Sequence, residues 1–169
     1  MRKLLTIPIA LVSMFWLQSL FAVEVGDTAP EVALPQMQEE GDVSLAQYQG
    51  KIVYLDFWAS WCAPCLVSMP IMNEMRNRLQ SQGIAFEVLA VNVDSDPEDG
   101  LDFLLDKPVD FIVLKDPEGV TPATYGVQGM PTSYLLDANG TIVMRHEGFS
   151  RSDGDMIEAE ILKLAGQNQ

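Results

Sequence analysis

Two cysteines are too few for the disulfide framework that holds small secreted scaffolds together. With the single histidine, His146, they also fall short of the four nitrogen or sulfur ligands of a usual structural zinc site. Cationic residues are scarce: 10 Lys and Arg stand against 24 Asp and Glu, for a net charge of -14. That sign opposes binding to nucleic acid or to anionic lipid by charge. Repeats, low-complexity stretches and a linker to a second domain are missing. A chain of 169 residues suits one domain with a proper core and an attached targeting segment. No metal or cofactor is expected.

One long uncharged apolar run is present, Leu4 to Val23, directly after Met1-Arg2-Lys3. A basic start followed by such a run is the layout of an export signal. Its length also matches the roughly 20 residues of a membrane-spanning helix. Ala22 is a plausible last residue before cleavage, although Leu20 is larger than the small residue preferred there. Residues 1–22 are therefore expected to be a signal peptide or an N-terminal membrane anchor, with residues 4–23 as the anchoring stretch. Either role places residues 23–169 outside the cytoplasmic membrane, in a periplasm or cell envelope.

The remainder reads as one α/β domain. Residues 24–49 are rich in turn residues, with a short extended piece at Glu31–Leu34. Ile52–Trp58 is β-branched and aromatic, as in a strand buried on both faces. Leu66, Met69, Met72, Met75 and Leu79 then recur at helical spacing, and Phe86–Val93 reads as a second buried strand. Asp96-Pro97 starts a helix through Leu101, Leu104 and Leu105. A short strand at Phe111–Leu114 and a helical turn at Thr121–Tyr125 follow. Thr132–Leu136, then Ala138-Asn139-Gly140, then Thr141–Arg145 form a hairpin closed by an Asn-Gly turn. Asp153 is expected to cap a last helix through Met156, Ile157, Ile161 and Leu164.

The chemistry sits in Trp61-Cys62-Ala63-Pro64-Cys65, a C-x-x-C at the strand-to-helix turn of a β-α-β unit. That context points to thiol–disulfide exchange. At a helix start the first sulfur meets unpaired N–H groups and the positive end of the helix dipole. Both favour thiolate, making Cys62 the attacking sulfur. Cys65 lies one turn further in, near enough to close an intramolecular disulfide and displace a bound partner. Pro64 gives up an N–H that the first turn can spare. The same spacing also suits a lone structural disulfide or half of a zinc site. Asp56 is the one ionisable residue in its apolar strand; burial would raise its pKa and let it exchange a proton near neutrality.

Several separated motifs resemble the thioredoxin superfamily, in particular its exported TlpA/ResA-like disulfide reductases. They are Gly26-Asp27-Thr28-Ala29-Pro30, Ser44-Leu45 followed by Gly50-Lys51, Asp56 through Cys65, and Gly129-Met130-Pro131-Thr132. Their order covers residues 26–165. The resemblance implies a thioredoxin-like fold, a mixed central sheet flanked by helices, with an N-terminal extension and a helix-strand insertion at Asp94–Leu114. It implies that Pro131 is cis and lies against the active-site sulfurs, and that Asp56 accepts the Cys65 proton. Met130 would offer free backbone groups to an extended substrate, as in strand addition. Trp61, Ala63 and Pro64 would line the same substrate site. Pro70 matches a helix-kinking proline. The chain departs from these relatives at Ser68, where many have glutamate, and at Asp56, where they often have asparagine.

The implied activity is disulfide reduction in exported proteins. Ala63-Pro64 supplies no side-chain donor to stabilise a thiolate, which argues for a reductase over a strong oxidant. Disulfide-bonded proteins would be the substrates, and the resemblance implies a membrane electron donor of the DsbD/CcdA type. An alternative is a partner-binding or copper-delivery module using the same cysteines; a third is a peroxidase. Met69, Met72 and Met75 share a helical face and read as core filling rather than a copper site. Asp94 through Asp99 reads as a capped helix start rather than a calcium loop, because the required glycine position holds Asp99. Asn139-Gly140-Thr141 matches a glycosylation triplet but is explained by the hairpin. His146, without a partner nearby in sequence, is expected on the surface of a strand.

Overall fold

The computed structural model describes residues 23–167. In chain order these form β1 (Ala33–Pro35), β2 (Asp42–Ser44), a 3-10 turn (Leu45–Tyr48), β3 (Ile52–Trp58) and α1 (Ala63–Ser81). Next come β4 (Phe86–Asn92), α2 (Pro97–Asp106), β5 (Ile112–Lys115) and α3 (Val120–Thr124), then β6 (Thr132–Leu136), β7 (Ile142–Glu147) and α4 (Asp153–Gln167). The signal or anchor expectation falls on residues 1–22, outside the described residues. Among the described residues no helix is long and apolar enough to cross a membrane.

The central sheet runs β5-β4-β3-β6-β7, with β3, β4 and β5 parallel and β6 and β7 antiparallel to their neighbours. It is the mixed sheet expected. Every residue of β3 and β4 is buried, as their mainly apolar runs require, with Asp56 in β3 and Glu87 and Asn92 in β4 buried among them. Side chains alternate along β3. Ile52, Tyr54 and Trp58 join one core cluster with Met69, Met72, Met75 and Leu79 of α1 and Ile157 and Ile161 of α4. Val53, Leu55 and Phe57 join the other, with Tyr125, Tyr134 and Val32 of the N-terminal extension. The three methionines are at most 2 % exposed, so they fill the core.

The insertion, α2 with β5, adds an outer strand beside β4. The extension then ties down both edges of the sheet. Met37 donates to Val113 at 2.8 Å on the β5 side, and Gly26 donates to Ile142 at 2.8 Å on the β7 side. Pairing both edges leaves fewer open strand groups for another chain to join.

The β6–β7 hairpin forms with the loop Ala138-Asn139-Gly140: the Gly140 N–H donates to the Asp137 carbonyl at 2.9 Å, and Gly140 is left-handed at +80°. The Asp137 carboxylate also accepts from the N–H groups of Asn139 and Thr141, both at 2.9 Å. Two local expectations are corrected. Asp153 is the first residue of α4 rather than its cap; its carboxylate reaches back to the Ser150 N–H at 2.7 Å. His146 has a partner that sequence distance concealed, with Nε2 3.3 Å from Asp153 Oδ2. It is half-buried rather than a free surface residue.

Candidate active site

Strand β3 ends at Trp58, and the chain turns through Ala59-Ser60-Trp61 into α1. Cys62 is the N-cap of α1 and Pro64 occupies its first turn, where no N–H is needed. Cys62 and Cys65 are joined as a disulfide. The Cys65 N–H donates to Cys62 Sγ at 3.3 Å. This is the helix-start environment that favours a thiolate once the bond is reduced. Cys65 is fully buried, Cys62 is 4 % exposed, and the preceding Trp61 is 71 % exposed. Cys62 thus keeps a small exposure beside the exposed Trp61, whereas Cys65 has none.

Tyr54 and Trp58 lie on the face that carries Cys62, Cys65 and Met69. Asp56, midway between them, points to that same face. It is 3 % exposed, and its Oδ1 has no hydrogen-bond partner. Burial alone pushes its carboxyl from 3.8 up to about 8. An unpartnered acid with a pKa near that of a thiol is suited to exchange a proton with one.

The Met130–Pro131 peptide bond is cis. Pro131 is buried, and its carbonyl accepts from Gly148 at 2.8 Å. Met130 packs against the cluster containing both cysteines. Among the described residues neither its N–H nor its C=O has a backbone partner. Ala63 and Pro64 are exposed beside Cys62. Ser68 is buried, its hydroxyl donating to the Cys65 carbonyl at 3.0 Å. It is committed to the helix backbone.

A positioning group at Asp94 was not recognised from the sequence. This carboxylate, 2 % exposed, accepts from the Ser60 N–H at 2.9 Å, the Ser60 hydroxyl at 3.1 Å and Asn92 Nδ2 at 2.7 Å. It holds the residue two before Cys62. Gly100 of α2 approaches so closely that a Cβ there would lie 2.7 Å from Asn92 Nδ2. The available signal was position: Asp94 follows the carboxyl end of a parallel strand, where α/β sites gather. Asp94→Ala should cost about 2–4 kcal/mol, since it removes charge-assisted bonds and leaves the Ser60 N–H unpaired. Urea unfolding measures the loss, and hydrogen exchange at the Ser60 amide should accelerate. Unchanged protection at Ser60 would remove Asp94 from the loop's support.

A five-stranded mixed sheet with a C-x-x-C disulfide at the start of its first long helix defines a thioredoxin-superfamily thiol–disulfide oxidoreductase. The Redoxin family profile matches residues 24–161, and the chain belongs to that family. It is similar to the thiol-disulfide oxidoreductase ResA of Geobacillus thermodenitrificans, 38% identical over 122 residues, covering 72% of this chain and 68% of the relative. A Chlorobium tepidum structure carrying the name thiol:disulfide interchange protein DsbE superposes with a TM-score of 0.79 at 45% identity, over 85% of this chain and 99% of that one. The exposed lipoprotein thioredoxin Etrx1 of Streptococcus pneumoniae aligns with a TM-score of 0.68 at 31% identity, covering 79% and 99%. Within its family the chain is ResA-like.

Proposed function

We propose that this oxidoreductase works outside the cytoplasm as a reductase of protein disulfides. The direction is carried by one observation: among the described residues, the only hydrogen bond to Cys62 Sγ comes from the Cys65 N–H. Ala63-Pro64 adds no side-chain donor, and no Lys or Arg occurs in residues 59–68, 93–97 or 126–132. A strong oxidant needs its reduced form stabilised, chiefly as thiolate. That stabilisation is weak here.

The reaction runs in two exchanges. Cys62 thiolate attacks one sulfur of the substrate disulfide, forming a mixed disulfide and releasing the other substrate sulfur as thiolate. Asp56 carboxylate takes the Cys65 proton. Cys65 thiolate then attacks the Cys62 sulfur, closing the internal disulfide and freeing the second substrate sulfur. Two electrons pass to the substrate. An extended substrate segment pairs with the open backbone of Met130 beside Pro131, while Trp61, Ala63 and Pro64 supply apolar contact. A membrane electron donor of the DsbD/CcdA type would restore the dithiol. Export is supported by the basic-then-apolar start of the sequence and by the likeness to an exposed lipoprotein thioredoxin.

Equilibration with a glutathione redox buffer tests the direction. A reduction potential near that of thioredoxin, about −270 mV, is expected. A value near −120 mV, as for DsbA-type oxidants, would overturn the reductase assignment. The difference is about 7 kcal/mol at 1.4 kcal/mol per 30 mV, well beyond the effect of one hydrogen bond.

A further inference from the structure

Asp56 belongs to a row of polar side chains crossing three strands. The register places Ser133 of β6 directly opposite Asp56, and His146 of β7 directly opposite Ser133. Opposed residues share a face, with Cβ atoms about 5 Å apart. The row therefore runs from the buried middle of the sheet to its edge strand. Ser133 is 2 % exposed, and the His146 side chain is 18 % exposed. The inner end is closed to solvent and the outer end is open.

Ser133 is set up to serve both neighbours. Its hydroxyl accepts from the Tyr54 phenol at 2.7 Å. A hydroxyl has one proton to donate and two lone pairs. With Tyr54 donating to one lone pair, the Ser133 proton has no acceptor among the described residues. Register sets Asp56 on one side and His146 on the other, neither hydrogen-bonded to Ser133 at rest, so side-chain rotation must close each contact. Asp56 Oδ1, without a partner, is the acceptor at the inner end. At the outer end His146 Nε2 meets Asp153 Oδ2, and the Ser150 N–H and hydroxyl hold that carboxylate from behind. Burial, then the charge of Asp56, pushes the Tyr54 phenol far up, so it remains a fixed donor. The titratable groups on the elements packed against that face are Tyr54 on β3, Cys65 on α1 when reduced, His146 on β7 and Asp153 on α4. The opposite neighbour of Asp56 on β4 is Ala90.

We propose that Ser133 and His146 carry the proton of Asp56 between the buried site and solvent. The inference rests on the reading of Asp56 as acceptor of the Cys65 proton. After Asp56 has taken that proton, its carboxyl donates to the Ser133 oxygen as the Ser133 proton passes to the His146 imidazole. His146 then releases a proton to solvent, and Asp56 returns to carboxylate. The Ser133 hydroxyl is regenerated, and no electron moves along the row. An imidazole at the surface end is the side chain best suited to such shuttling.

The test is single-turnover reduction of a disulfide peptide by the full-length reduced protein, across pH 5–9 and in weak and strong buffer. Ser133→Ala and His146→Gln should each slow closure of the Cys62–Cys65 disulfide about tenfold near pH 7. The initial Cys62 attack should stay within about twofold of wild type. Ser133→Thr, which keeps the hydroxyl, should restore the rate, and added imidazole should accelerate His146→Gln. A merely structural contribution would give neither rescue. Asp56→Asn separates the two claims. If it slows closure while Ser133→Ala and His146→Gln do not, the relay is overturned and Asp56 keeps its role. If Asp56→Asn is also silent, both readings fall.

Discussion

Cys62→Ser should abolish disulfide exchange, with a loss of at least about a thousandfold. A serine hydroxyl at the head of α1 does not ionise near neutral pH, so no nucleophile remains. Cys65→Ser should behave differently. It keeps the Cys62 sulfur and its helix-start environment, attacks once, and then stalls as a mixed disulfide because no thiol remains to release it. One substrate molecule per protein should appear on non-reducing electrophoresis and vanish with dithiothreitol. The division of labour follows from position: Cys62 is the helix cap near the surface, whereas Cys65 is fully buried. An ordinary thiol is only about 3% ionised at pH 7. A favoured, reachable Cys62 should therefore alkylate much faster than Cys65 in the reduced protein. Equal alkylation rates at pH 7 would contradict the assignment. The trapped Cys65→Ser adduct from cells would also identify the natural substrates.

Asp56→Asn should raise stability while lowering the rate of disulfide closure. Burial moves the carboxyl from 3.8 to about 8 on folding. Between those values the folded protein keeps a proton that the unfolded chain has released. The folded state then binds more protons, so stability falls as pH rises through that window. The stability is intact below about pH 4, and the cost is complete above about pH 8. A separation of about four pH units corresponds to on the order of 5 kcal/mol at 1.36 kcal/mol each. Asparagine cannot ionise, so the variant should gain about 3–5 kcal/mol over wild type at pH 8.5 but only about 1 kcal/mol at pH 4.5. Urea unfolding at the two pH values checks the sign. Closure of the internal disulfide should slow about tenfold to a hundredfold near pH 7. The deficit should shrink as pH rises, because hydroxide and buffer base then compete with Asp56 for the Cys65 proton. A stability difference that does not change with pH would remove the buried-acid argument.

Much of the fold was legible because its signals are local. Mainly apolar runs marked β3 and β4, helical spacing marked α1, and Asp96-Pro97 marked the start of α2, where the Asp96 carboxylate accepts from the Glu98 N–H at 3.1 Å. One error arose where short-range signals compete. Asp153 suggested a cap because acids favour helix starts, yet Ser150 drew its carboxylate backward by a turn.

The sequence by itself determined the dithiol, its place at the head of a helix, and the single acid within the β3 strand. These depend on neighbours within a few residues, where spacing and propensity carry the information. Only the tertiary structure decided what surrounds them. Asp94 reaches Ser60 across 34 positions, Tyr54 meets Ser133 across 79, and His146 joins their row solely through strand register. The physical reason is that sheet pairing and register are non-local. A shift of one residue would turn Ser133 or His146 to the opposite face, and the choice between faces is made by packing of the whole core.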